Sequence, residues 1–261
     1  MPLNWMKENK LEINHLLLLE KIQIKWLFDY ISDNEIAAIL KANPIIQWYF
    51  ENKCPEISQK LKALLEKNKT ELSSQDIRKL ELSVLNKIQD WIVYATDPDR
   101  YDKMAFLKWD SNELLSLNEY EGKTILDIGS GTGRLGFAVA EFAKYVFCIE
   151  PVGNLRDYLR AKALSKKLTN VYAIDGLITS IPLPDNFSDI TLSGHVFGDE
   201  LDNEYKELMR VTKTKGMIIL CPGNNDNDNE IHSFLIENGF TWSKFEEPND
   251  GIKRKYWKEK Q

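Results

Sequence analysis

Apolar residues in the first 118 positions recur every three or four residues, with no strand-like alternation and few prolines. That spacing predicts helices packed by one face. Helices are expected over Ile13 to Ile31, Asn34 to Leu40, Ile45 to Glu51 and Ile57 to Glu66. Ser73 with Asp76 has capping-box character, and Ile77, Leu80, Val84, Leu85, Ile88, Trp91 and Ile92 then make one continuous apolar face. Asp97-Pro98-Asp99 ends this long helix, because proline disfavours helical backbone at the residue before it. A further helix over about Met104 to Leu117 leads across Glu121-Gly122 into a different pattern. There Thr124, Ile125, Leu126 and Ile128 form an apolar run suited to a sheet buried on both faces, and Phe137 to Ala143 resume helical character.

Between strand and helix lies LDIGSGTGRLG, Leu126 to Gly136. Gly129, Gly131 and Gly133 allow a sharp turn and a close approach to a ligand, with the next helix's free N–H groups nearby. Ser130 lies within that turn. The glycine count alone leaves the cofactor open, since Gly131, Gly133 and Gly136 also satisfy the dinucleotide pattern. Asp127 is the discriminating residue. A carboxylate near the centre of a sheet needs partners, either the turn's own N–H groups or a cationic ligand such as a sulfonium or ammonium. A pyrophosphate beside it is repelled. Loop support ranks first as its role, and ligand contact second.

The stretch LDIGSGTG resembles the first motif of the class I S-adenosylmethionine-dependent methyltransferases, in particular their broad small-molecule group. The likeness extends over roughly residues 120 to 258. It implies a Rossmann-like, seven-stranded α/β fold at 119–261, preceded by a helical N-terminal region at 1–118. It also implies S-adenosylmethionine as cofactor and S-adenosylhomocysteine as product. Glu150, after an apolar strand from Tyr145 to Ile149, stands where the family's acid accepts hydrogen bonds from both ribose hydroxyls. Pro151 and Val152 follow where apolar residues flank the adenine. Asp175 and Gly176, with Leu177 after them, end a third strand from Asn170 to Ile174, at the place of the adenine-binding acid or amide. Asp189 to Gly194 resembles the fourth strand and brings Ser193 to the site, Gly216 to Leu220 resembles the fifth, and Thr241 to Glu246 and Ile252 to Trp257 complete the sheet. Read without the resemblance, Glu150 can equally cap the next helix, and Asp175-Gly176 can be an ordinary turn.

In the chemistry so implied, an acceptor atom attacks the methyl of a sulfonium in line. Positioning is the protein's main task, and a base is needed only for acceptors that carry a proton at neutral pH. His195 is the one titratable side chain with a suitable pKa near the expected methyl position, either as general base or as a packing residue. Asn224, in the polar loop Cys221 to Asn229, is a candidate acceptor contact whose plain alternative is loop and helix-cap support. Tyr101 and Trp109 are candidates for a lid over the cofactor edge. Of the seven tryptophans, Trp5, Trp26, Trp48, Trp91 and Trp109 lie in the helical part and read mainly as core. That part can also serve as a homodimer surface.

Composition narrows the function classes. Each half, 1–120 and 121–261, carries a net charge of −3, which disfavours a dedicated nucleic-acid-binding domain. Lys253, Arg254, Lys255, Lys258 and Lys260 form the one basic cluster and read as a solvated final strand and tail. The Asn/Asp-Pro-Pro-Tyr motif of adenine modification and a catalytic cysteine after the fourth strand are both missing, which argues against DNA bases as acceptors. Cys54, Cys148 and Cys221 have neither metal-ligand nor disulfide-framework spacing. With no signal-peptide pattern and no apolar run long enough to span a bilayer, a cytoplasmic protein without metal, acting on a small-molecule acceptor, is expected. Two competing readings stay open: a non-catalytic partner subunit that binds S-adenosylmethionine, and an NAD-dependent oxidoreductase.

Overall fold

The computed structural model describes residues 11–68 and 72–261, which separate into two compact units, 1–97 and 98–261. The divide falls at Asp97/Pro98 rather than near residue 118. Residues 98–118 therefore belong with the sheet.

The first unit is helical, with α1 (Lys21–Tyr30), α2 (Asp33–Ala42), α3 (Pro44–Lys53), α4 (Ser58–Lys67), α5 (Ser74–Lys87) and α6 (Gln89–Thr96). Two expected helices are broken. Ile13 to Ile31 splits into a 3-10 turn, Ile13–Leu18, and α1, because Leu19 and Glu20 are extended and the Glu20 N–H turns to the Gln23 side chain, to which it donates at 3.1 Å. The long apolar face breaks at Ile88, whose φ of −105° and ψ of 8° end α5, although Val84, Leu85, Ile88 and Ile92 are all buried as expected. At the start of α5 the Ser73 hydroxyl accepts the Asp76 N–H at 3.2 Å, as its spacing predicts. Trp91 is buried and meets Trp26 edge-on, whereas Trp48 is 65% exposed and is not core. Trp5 lies outside the described residues.

The second unit begins with α7 (Pro98–Asp102), a 3-10 turn (Ala105–Leu107) and the one-turn α8 (Asn112–Leu115), where one helix over Met104 to Leu117 was expected. This segment folds to place aromatic rings, and backbone regularity yields to that. Trp109 is buried against Phe245, with the Arg134 guanidinium over its indole. Seven strands follow: β1 (Thr124–Ile128), β2 (Tyr145–Ile149), β3 (Val171–Ile174), β4 (Ser188–Ser193), β5 (Thr212–Asn225), β6 (Thr241–Glu247) and β7 (Gly251–Glu259). They pair in the order β3-β2-β1-β4-β5-β7-β6, with β1 to β5 parallel and β7 antiparallel to both neighbours. Helices α9 (Arg134–Val139), α10 (Gly153–Ser165), α11 (Leu201–Val211) and α12 (Glu230–Glu237) make the connections. The sheet is the Rossmann-like, seven-stranded arrangement implied by the sequence. Apolar side chains fill both of its faces, with Ile125, Val146 and Leu192 in one cluster and Leu126, Ile149 and Leu220 in the other.

The basic cluster on β7 is not a solvated strand face. Lys253, Arg254 and Lys255 are each at most 6% exposed. Their aliphatic stems lie on the sheet while their heads find partners. The Arg254 guanidinium sits over Trp242 and bonds Asp226 and Asp228, and Lys255 meets both the Glu113 carboxylate and its carbonyl at 2.7 Å. Among the described residues no helix is long and apolar enough to cross a membrane.

Candidate active site

β1 lies between β2 and β4, and its carboxyl end opens a crevice of the kind in which open α/β sheets bind ligands. Gly129 and Gly131 at this end have φ of +66° and +56°, a region costly for residues with a side chain. A Cβ on Gly129 would come within 2.3 Å of the Val196 side chain, and one on Gly131 would meet the Tyr101 ring at 3.4 Å. These two glycines thus let neighbouring side chains close onto the turn. Asp127 points beneath it: its Oδ2 accepts the Gly136 N–H at 2.9 Å, while the Ser130 hydroxyl donates to the Asp127 carbonyl at 2.6 Å. Asp127 is thereby tied to the loop it lies beneath. Burial drives its carboxyl up to about 7, only partly opposed by these hydrogen bonds.

Glu150 follows β2 and is 4% exposed. Its two oxygens accept the Gly131 N–H at 2.8 Å and the Val152 N–H at 2.9 Å, which ties the end of β2 to the glycine turn. Burial again outweighs the donors and lifts this carboxyl to about 7. Arg156 bonds the Glu150 carbonyl and the exposed Asp175 carboxylate, at 2.8 and 2.9 Å. Val152 is buried, and Pro151, Gly176 and Leu177 are half-buried on the same rim. A Cβ on Gly176 would press on Pro182 and Ile149. Ser193 ends β4 almost fully buried, with its hydroxyl lacking a hydrogen-bond partner among the described residues.

A cleft of about 50 Å³ lies between Tyr101, Trp109, Asp127, the glycine turn, Arg134 and His195. The structure thus brings Tyr101, Trp109 and His195 to one place. It does not bring Asn224 there: its amide is committed reciprocally to Asn229, at 2.6 and 3.1 Å, and Asn229 caps α12 by accepting the His232 N–H. Arg134 was overlooked in the sequence, although it follows Gly133 directly as the first helical residue of α9. It bonds Ser111 and the Trp109 carbonyl, and its Nε is buried without a partner among the described residues. Glu247 was also overlooked. Its signal is the period-two register of β6, which puts it on the buried side with Phe245 while Glu246 faces out.

Residues 126–220 match the family model of a methyltransferase domain. The matched residues run from within β1 to within β5. An uncharacterized methyltransferase of Bacillus pumilus is 35% identical over 86 residues, or 33% of this chain and 38% of that protein. A demethylmenaquinone methyltransferase of Thermobifida fusca is 29% identical over 137 residues, 47% of this chain and 56% of the relative. The chain spans 38–56% of the length of the curated relatives it matches. The crystal structure of a Pyrococcus horikoshii protein shares the fold with a TM-score of 0.51 at 16% identity, covering 67% of this chain and 98% of that one.

Proposed function

We propose that this chain transfers the methyl group of S-adenosylmethionine to a small-molecule acceptor. The observation that carries the reading is the pair of buried carboxylates, Asp127 and Glu150, at the ends of β1 and β2 beside a turn built on left-handed glycines. Two acids set here oppose a diphosphate, and they suit the hydroxyls of a ribose and the positive charge of a sulfonium.

When bound, the cofactor supplies a methyl group already activated by its sulfonium. The residues present fit it. Glu150 would accept the ribose hydroxyls, and Asp175 would take the adenine amino group, with Pro151, Val152 and Leu177 flanking the ring. Gly129, Ser130, Gly131 and Gly133 form the turn that approaches the ligand. Arg134 is the cation in the cleft wall, and its unpartnered Nε suits the amino-acid carboxylate. Ser193 offers a hydroxyl with no competing partner among the described residues. Tyr101 and Trp109 exclude water from the acceptor side and give it aromatic walls suited to a small molecule. The cytoplasm is the compartment we propose, on the free and buried state of Cys54, Cys148 and Cys221.

Thermal unfolding with S-adenosylhomocysteine and, separately, with NAD tests the reading. A ligand at a hundred times its Kd stabilises its binding unit by about 2.7 kcal/mol. Stabilisation by S-adenosylhomocysteine is expected, and stabilisation by NAD alone would overturn the assignment.

A further inference from the structure

We infer that Glu247 and His195 form a base dyad, and that the acceptor is therefore a neutral hydroxyl, best a phenolic one, which must lose its proton as it is methylated. The inference rests on the methyl-transfer reading above and adds the acceptor class.

His195 is held at three points. Its Nε2 lies 2.8 Å from Glu247 Oε1, its ring packs T-shaped with Phe106 at 5.7 Å between centroids, and its backbone N–H donates to the Pro222 carbonyl at 3.0 Å. Its backbone is left-handed, with φ of +61°, a conformation unfavourable for a histidine that persists only where the surroundings enforce it. Glu247 is fully buried, so its carboxylate accepts the Nε2–H and selects that tautomer. Nδ1 then carries the lone pair, and it has no protein partner among the described residues. His195 lines the cleft together with the glycine turn, Tyr101, Leu107 and Trp109. Flat aromatic walls favour a flat aromatic acceptor.

The step balances without a further reagent. As the acceptor oxygen's lone pair forms the C–O bond to the methyl, the C–S bond breaks and its electron pair returns to sulfur, leaving a neutral thioether. The hydroxyl proton passes to His195 Nδ1, and the imidazolium so formed is neutralised by Glu247. An acceptor already ionised at neutral pH has no use for this arrangement. Glu247 is a positioning residue, since it acts through His195. Its second oxygen has no hydrogen-bond partner among the described residues and stands 3.8 Å from Lys253 Nζ, which is held by Asp250 and Asn225. The other titratable or charged groups around the cleft are Asp127, Tyr101, Arg134 and Cys221.

The test uses the full chain, its Glu247→Gln, Glu247→Asp and His195→Ala variants, S-adenosylhomocysteine, and catechol with methyl-labelled S-adenosylmethionine as the probe reaction. Calorimetry comes first: wild type that binds no S-adenosylhomocysteine defeats the methyl-transfer reading itself, whereas Glu247→Gln should keep that affinity within about threefold. Nitrogen-15 NMR of the wild-type ring should show a single Nε2–H tautomer that becomes mixed in Glu247→Gln. A wild-type Nδ1–H tautomer overturns the dyad. Methyl transfer to catechol near neutral pH should fall roughly 10²- to 10⁴-fold in His195→Ala and Glu247→Gln, with partial recovery in Glu247→Asp. The loss in Glu247→Gln should shrink as pH rises and catechol ionises unaided. A pH-independent loss, or no methylation of catechol by wild type that binds S-adenosylhomocysteine, overturns the hydroxyl acceptor.

Discussion

Replacing Asp127 with asparagine removes a charge from the centre of the sheet and keeps an acceptor for the Gly136 N–H. Asp127 is 1% exposed, and burial raises its carboxyl from the ordinary 3.8 to about 7. The sign follows from which state holds the proton. Between pH 4 and 7 the unfolded chain has lost it and the folded chain has kept it, so stability falls as pH rises through that window and levels off above it. Three pKa units at about 1.4 kcal/mol each set an upper limit of roughly 4 kcal/mol at pH 8. Glu150, raised to about 7 and repelled by Asp127, titrates with it, so the two contributions do not add. Lowered carboxylates elsewhere in this unit, such as Asp102 and Asp189, act in the opposite direction, which makes the difference between variant and wild type the quantity to measure. Hydrogen exchange of the β1 and β4 amides, corrected for intrinsic rates, reports opening of the sheet alone. Without ligand, Asp127→Asn should be level with or about 1 kcal/mol below wild type at pH 4.5, where the added amide protons lack a full set of acceptors. It should gain steadily to several kcal/mol above wild type by pH 8. A difference that stays flat across this range would refute the reasoning.

Three further outcomes are expected. Gly129→Ala should cost about 2–4 kcal/mol, from a positive φ and the contact with Val196, and adding Val196→Ala should return the steric share and leave about 1–2 kcal/mol, as read by urea unfolding. Glu150→Gln should weaken S-adenosylhomocysteine binding about 10- to 150-fold by calorimetry, the worth of a hydrogen bond to a charged group, and a loss below threefold would remove Glu150 from ribose recognition. Leu85→Ala, at a fully buried position of α5, should cost about 2–5 kcal/mol in the helical unit, measured by exchange of its own amides.

The strands and the turn were readable because a parallel sheet buried on both faces demands apolar runs, and a left-handed turn demands glycine. Asp127 and Glu150 were readable for the same reason, since an acid at the end of such a run has no cheap explanation. Other features were decided by contacts far away in the chain. Ile88 keeps its apolar position while its backbone leaves the helix. The segment 104–117 gives up helical regularity so that Trp109 can stack under Arg134 and against Phe245. The charges of β7 looked solvated until their partners, Asp226, Asp228 and Glu113, were brought beside them by the fold. His195 was visible as a lone titratable group, but Glu247, 52 residues on, becomes its partner only through the pairing of β6 with β7.

The sheet order has one consequence for biosynthesis. β6 is made before β7, yet its only strand partner is β7, which is wedged between β5 and β6. A ribosome that has passed β6 has therefore produced a strand with nowhere to dock. Until residues 251–259 emerge, β5 presents the bare backbone of Met217 to Leu220 along an open flank. Such a flank recruits other chains. Stalled or clipped products that lack β7 should accordingly depend on chaperones or aggregate, while the twelve residues after β6, 248–259, bring the strand that closes the sheet.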